Sequence, residues 1–183
     1  MLHRLKLLPV AVVCLAAVAA ASIERLTLRQ MIAKADAGVY GEIVEREVTA
    51  VPLDRGGVEM TFTTLHVKGH DLVSGDEVTV AVSFPGGVIG ERGSYNSEAP
   101  SADDTKVGKQ VVVFYKWSDN MGGGFAANAL YASHGGLFRT FTDKKGRVVV
   151  QGRGQGYAVS KNIRLADLKQ RSADHAREKK EER

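Results

Sequence analysis

The sequence predicts a mainly β protein: a small antiparallel barrel, closed or nearly so, with a short N-terminal helix and a charged C-terminal tail, helical or disordered. Three observations lead there. Short apolar stretches alternate with polar residues at a period of two, and glycine-rich turns separate them. No strand–helix–strand alternation is present, which argues against a doubly wound sheet.

The chain opens with Arg4 and Lys6, followed by an uncharged apolar run from Leu7 to Ala21. The run closes on Ala19-Ala20-Ala21, just ahead of Ser22 and the first acid, Glu24. A positive start, an apolar middle and a small-residue end make a cleavable secretory signal peptide, so 1–21 reads as a leader and the product as exported, to the periplasm or the exterior. The run is short for a membrane span, which needs about 20 residues, and no second such run follows. The one cysteine, Cys14, lies inside the leader; Val13 before it is too bulky for a lipobox. The mature chain is then free of cysteine and has no disulfide, so packing alone must hold it together. The remaining ~160 residues suffice for one domain with a true core. They divide into a barrel domain, 22–160, and a charged tail, 161–183.

The elements follow in order. Thr27 and Gln30 are spaced as a capping box, with Leu26 and Met31 placed for a hydrophobic staple, and Leu28, Met31, Ile32 and Ala35 share one helical face. From Gly38 the period turns strand-like, and Val39 to Val51 reads as one long strand. Val58, Met60 and Phe62 alternate with polar residues, but the phase slips at Thr63-Thr64 before Leu65 and Val67, so a bulge is expected there. Val78, Val80, Val82 and Phe84 form a half-buried strand, while Val111 to Trp117 is apolar on both faces and is the expected central strand. Leu130–Ser133, Leu137–Phe141 and Val148–Val150 complete the set, the last two joined by a turn at Asp143-Lys144-Lys145-Gly146. The strands are expected in meander order. No internal repeat is found.

Charge disfavours one class of partner. The formal net charge of +4 misleads, because the leader carries two bases and no acid, and 161–183 holds 8 bases against 5 acids. Residues 22–160 hold 15 bases against 16 acids. A polynucleotide ligand calls for positive charge on the folded surface, so nucleic acid is disfavoured.

One stretch carries a resemblance. Ala35-Asp36-Ala37-Gly38-Val39-Tyr40-Gly41-Glu42-Ile43-Val44 resembles the opening strand of exported OB-fold modules, among them the netrin-like domains and the tissue inhibitors of metalloproteinases. Thr64-Leu65-His66-Val67-Lys68-Gly69, Val78-Thr79-Val80, Pro85-Gly86-Gly87 and Val107-Gly108-Lys109 continue it, in a layout similar to that of uncharacterised bacterial secreted proteins. The resemblance covers about 35–117 and implies an OB-like barrel only. Those inhibitors chelate a protease zinc through an N-terminal cysteine and carry disulfides; the mature chain has no cysteine, so that activity is not implied.

Several segments suggest chemistry. His66, His70 and Asp71 form a His-x-x-x-His-Asp series, but it lies in a strand pattern broken by Gly69, and closed zinc sites need three or four placed ligands. Ser133-His134-Gly135-Gly136 suggests a hydrolase, yet no Gly-x-Ser-x-Gly is present, and a Gly-Gly turn accounts for it. Gly152-Arg153-Gly154-Gln155-Gly156 has the wrong spacing for a dinucleotide cradle. Ser97 to Asp104, with Asp103 and Asp104, lacks the spacing of a calcium loop.

Two long loops remain. Pro85 to Gly108 is a 24-residue connection with Tyr95 at its middle, and Gly122-Gly123-Gly124-Phe125 is a second glycine-rich loop. Loops beyond about 15 residues are usually functional or disordered. The expectation is therefore an exported, non-enzymatic module that binds a protein, peptide or glycan through these loops, with Tyr95, Phe125 and His134 as candidate contacts. Trp117, Tyr131 and Phe138 are the other aromatics to place. No cofactor is implied. The alternative is a secreted hydrolase or metal-dependent enzyme using His66, His70 or His134 with Asp71, Asp103 or Asp119, which requires those histidines to converge. Oligonucleotide binding by an OB-like barrel is a third, weaker option.

Overall fold

A computed structural model describes residues 26–53 and 57–181. Residues 1–21, which read as a leader in the sequence and include Cys14, lie outside the described residues. Helix α1 (Leu28–Lys34) begins as its sequence dictates: Thr27 accepts from the Gln30 amide at 3.3 Å, and the Gln30 side chain accepts from the Thr27 amide at 2.9 Å. Leu26 and Met31, the two ends of the staple, are both buried in the same apolar cluster.

Among the described residues ten strands follow: β1 (Ala37–Pro52), β2 (Glu59–Asp71), β3 (Glu77–Pro85), β4 (Gly87–Ile89), β5 (Arg92–Ser94), β6 (Gln110–Ser118), β7 (Ala127–Leu130), β8 (Leu137–Thr142), β9 (Val148–Val150) and β10 (Ile163–Arg164). Five of them close a barrel in the order β1-β2-β3-β7-β6, with β6 returning to pair with β1. This is an OB-like barrel, and it corrects the expected meander. The chain leaves β3, crosses one end of the barrel, and enters β6 beside β1; β7 then fills the gap, antiparallel to β6 and parallel to β3 at Ser83–Ala129. Strands β8, β9 and β10 extend the sheet beyond β6.

Closing so few strands requires strong coiling, and it centres on a glycine pair. Gly41 of β1 stands directly opposite Gly69 of β2. A Cβ on Gly69 would collide with the Tyr40 carbonyl oxygen, and one on Gly41 would reach to within 2.8 Å of the Gly69 Cα. The backbones meet closely there because neither residue has a side chain.

The β1–β2 ribbon contains a bulge, though not where the sequence suggested. Ile43 pairs with Val67 and Glu45 with His66, so Val44 is the extra residue, in β1 and not at Thr63-Thr64. Strand β2 runs unbroken through its change of phase because both of its faces are covered. Thr61, Thr63, Leu65 and Val67 point inward, while Phe62 and Thr64 are buried on the outer face. Phe125 stacks on Phe62 with ring centroids 4.8 Å apart, and Thr64 bonds to Ser83 at 2.8 Å.

Strand β6 is apolar on both sides because it separates two cores. Val111 and Val113 join Val39, Ile43, Leu65 and Val82 inside the barrel. Val112 and Phe114 face the other way, towards Met31, Phe138, Val150 and the C-terminal helix α2 (Leu165–Glu181). The charged tail is thus helical, and its first two turns belong to the core. Leu165, Leu168 and Ser172 are buried, and the Glu178 carboxylate accepts from Arg29 of α1 at 3.0 Å. The β8–β9 turn forms as expected, with Gly146 at φ +74° and the Asp143 carboxylate accepting from the Lys145 and Arg147 amides. Among the described residues no helix is long and apolar enough to cross a membrane.

Two outcomes test this packing. Leu168→Ala should cost about 2–5 kcal/mol in urea unfolding, as a fully buried leucine does; a change near zero would mean that α2 is dispensable. The second concerns Tyr115, half-buried on the inner face near Asp71 and Asp36. Burial raises its hydroxyl pKa above the ordinary 10.0, and the two carboxylates add to the rise. The unfolded chain therefore ionises first, so this contribution is intact below pH 10 and is lost as pH climbs to the folded value. Tyr115→Phe should flatten the alkaline fall in stability, and an unchanged alkaline limb would contradict the assignment.

Candidate binding groove

The connection from Pro85 to Gly108 is neither disordered nor featureless. It folds back at Gly86 and Gly87, whose φ values of +108° and +142° suit glycine, and forms the β4–β5 hairpin. Gly87 seats against the Val48 methyls and the Thr63 hydroxyl, where a Cβ would stand 2.6 and 2.7 Å away. Inward-facing threonines of β2 anchor the hairpin. Thr63 Oγ1 donates to the Gly86 carbonyl at 2.7 Å, Thr61 Oγ1 donates to the Gly87 carbonyl at 3.0 Å, and the Thr61 and Ser94 hydroxyls lie 2.6 Å apart. These polar groups occupy a core-like position because the hairpin roots satisfy them.

Past the hairpin, residues 96–105 run as linked turns across the barrel end. Asn96 caps the Glu98 amide at 2.9 Å, and Ser101 donates its hydroxyl to Asp104 at 2.8 Å. Asp104 is buried and accepts from Arg139 Nε on β8; Arg139 also reaches Asp103 at 3.3 Å. The hydrogen bond and the charge of Asp104 push the Arg139 pKa above its usual value. Lys106 holds the Asp103 carboxyl below the ordinary carboxylate range, with Lys109 adding to the effect. Asp103 and Asp104 thus fasten a loop to the barrel through basic partners, which explains the acidic pair without a metal.

Between hairpin and turns lies a groove of about 650 Å³. Phe84, Thr63 and Ala99 contribute to its floor, and Arg46, Glu91 and Arg153 bring charge to it. Tyr95 also lines it and is 94% exposed. Val88, also on the lining, is 65% exposed, and its neighbour Ile89 is exposed as well. Arg153 also borders a cavity of about 300 Å³ beside Asp104, Arg139 and Tyr157. Its guanidinium sits 5.2 Å from the Tyr157 ring centroid and donates to the Leu137 carbonyl at 3.1 Å. The Gly152–Gly156 loop, whose spacing does not suit a dinucleotide cradle, carries this arginine.

The other sequence candidates are dispersed. Phe125 covers Phe62 outside the barrel and is half-buried, so its ring is engaged within the fold. His134 lies in a short 3-10 turn, Ser133–Gly136, between β7 and β8; the placement of its side chain falls outside the description. His66 Nε2 lies 3.3 Å from Glu47, and His70 Nδ1 lies 3.2 Å from the Gly75 carbonyl. Four residues of strand, about 13 Å, separate those two histidines along β2. Asp71 accepts from the Val73 and Ser74 amides, and Asp119 accepts from the Trp117 indole at 2.7 Å. Among the described residues no group of three or more His, Cys, Asp or Glu side chains is placed to hold a metal. Of the remaining aromatics, Phe138 is core and meets Phe114 edge-on, Tyr131 packs against the helix-side cluster, and Trp117 is exposed.

Sequence reasoning missed Arg46. Without the bulge, strand parity from Ile43 would send Glu45 and Glu47 inward; the extra residue at Val44 turns Arg46, Val48 and Ala50 to the inner side instead. Nothing in Ile43-Val44-Glu45-Arg46 marks that shift. Val88 and Ile89 were also missed, since an apolar pair inside a loop reads as incidental. Comparison of the chain with protein-family models, with curated proteins and with solved structures found no match.

Proposed function

We propose that the chain is an exported, non-enzymatic binding module, and that the groove under the β4–β5 hairpin holds part of a protein, peptide or glycan partner. One observation carries the reading. Tyr95, Val88 and Ile89 stand at the surface on a loop whose roots are fixed by Thr61, Thr63 and Asp104. Exposed aromatic and aliphatic side chains on a rigid support are what an interface uses as anchors, and their exposure has no packing reward in the free protein. The near-neutral charge of 22–160 supports such a partner over a polynucleotide.

Deleting the whole loop would uncap the barrel, so the test uses point changes. Immobilised mature protein, incubated with the producing cell's envelope and culture supernatant, should retain a specific component. Tyr95→Ser combined with Val88→Ser should lower that retention at least tenfold, about 1.4 kcal/mol, with thermal stability unchanged. Equal retention by the double variant would remove the groove from consideration.

A further inference from the structure

We infer that the groove takes an extended polypeptide, added as a strand to the free edge of β1 and carrying a carboxylate that pairs with Arg46. The inference rests on the binding-module reading and narrows it to one class of ligand. Three observations converge. The first is the edge. Strand β1 pairs with β6 only from Ala37 to Glu42, and Ile43 then exchanges hydrogen bonds with Gly108 and Lys109. From Glu45 to Pro52 its pairing is with β2 alone, and among the described residues no strand occupies the other side. Such an edge presents backbone N–H and C=O groups in a regular row, which another polypeptide backbone matches in spacing.

The second observation is position. Arg46 and Gly87 both line the groove, and Gly87 rests on Val48, so the free edge runs beside the cavity. A strand added there would point alternate side chains to the inner side, over Phe84, Val88 and Ala99, and the others to solvent. The third is charge. The Arg46 guanidinium faces inward after the bulge and has no ion pair among the described residues, whereas Arg139 and Arg147 are each matched to a carboxylate. A planar guanidinium bordering a partly apolar groove fits a carboxylate, from an Asp or Glu side chain or a chain end. A neutral glycan would satisfy neither the edge nor the charge.

Glu45, Arg46 and Glu47 also bear on a competing occupant, a second copy of this chain. Charged residues along an edge discourage identical edges from pairing. An acidic peptide with β-branched or aromatic residues at alternate positions suits the same edge.

The probe is a phage library of random linear dodecapeptides, selected on the immobilised mature protein. Selected sequences should share an acid flanked by alternating β-branched or aromatic residues. The corresponding synthetic peptide should bind at least tenfold more weakly to Arg46→Glu, and selection on that variant should exchange the acid for a base. Hydrogen exchange should show new amide protection within 45–51 when the peptide is bound. Peptides that bind and depend on Tyr95 and Val88, but give no protection in 45–51 and no dependence on Arg46, would overturn the strand-addition inference while leaving the groove in place. A library that yields no binder, alongside retention of envelope components that ignores Tyr95 and Val88, would overturn both. A concentration-dependent dimer with protection in 45–51 would assign the edge to a second copy and overturn the peptide.

Discussion

The whole architecture depends on the place where two glycines, Gly41 of β1 and Gly69 of β2, stand opposite each other with no room for a side chain. Side chains on opposed residues normally keep paired strands from bending sharply towards one another, and here both are absent. The ribbon can then coil strongly enough for the first part of β1 to face β2 on one side and β6 on the other. Barrel closure is the direct result. So is the free upper ribbon, because a strand of 16 residues that closes the barrel with its first six must project beyond it with the rest.

Everything proposed for function sits on that projection or on the hairpin that it anchors. The bulge at Val44 changes which side chains face inward, and threonines that would be poor core residues become the anchors of the hairpin. The hairpin then shields part of the ribbon's inner face and leaves its edge and its outward-facing apolar residues available. On the far side of the molecule, β6 passes the same sheet to a second core, where α1 and α2 cover Val112, Phe114 and Phe138. The helices thus stabilise the barrel from the face opposite its interior.

Much of this was legible in the residues. The α1 cap, the long first strand, the β6 strand apolar on both faces and the Asp143–Gly146 turn each depend on local chemistry, and each appears where the sequence places it. The site was less legible, because it depends on pairing. Tyr95 could be singled out as an aromatic residue in a long loop, and it is exposed at the groove. Phe125 looked equivalent, yet its ring covers Phe62, a contact between residues 63 positions apart that no local pattern announces. Arg46 was hidden by a one-residue shift of register. The tail from Leu165 is mainly charged, and two leucines one turn apart carry its apolar contact with the core.

The central claim is that absence of side chains at the Gly41–Gly69 crossing lets the barrel close. Substituting Gly69→Ala, with Gly135→Ala, where the backbone has no positive φ and a Cβ meets only an ordinary contact at 3.6 Å, as a control for the changed residue type, and following urea unfolding together with the slow amide exchange of β1 and β6, tests it directly. The account predicts a loss of at least 2 kcal/mol, on the order of the cost of forcing atoms into a filled core, with protection lost along the β1–β6 pairing. A Gly69→Ala protein as stable as the wild type, with that pairing still protected, would contradict it.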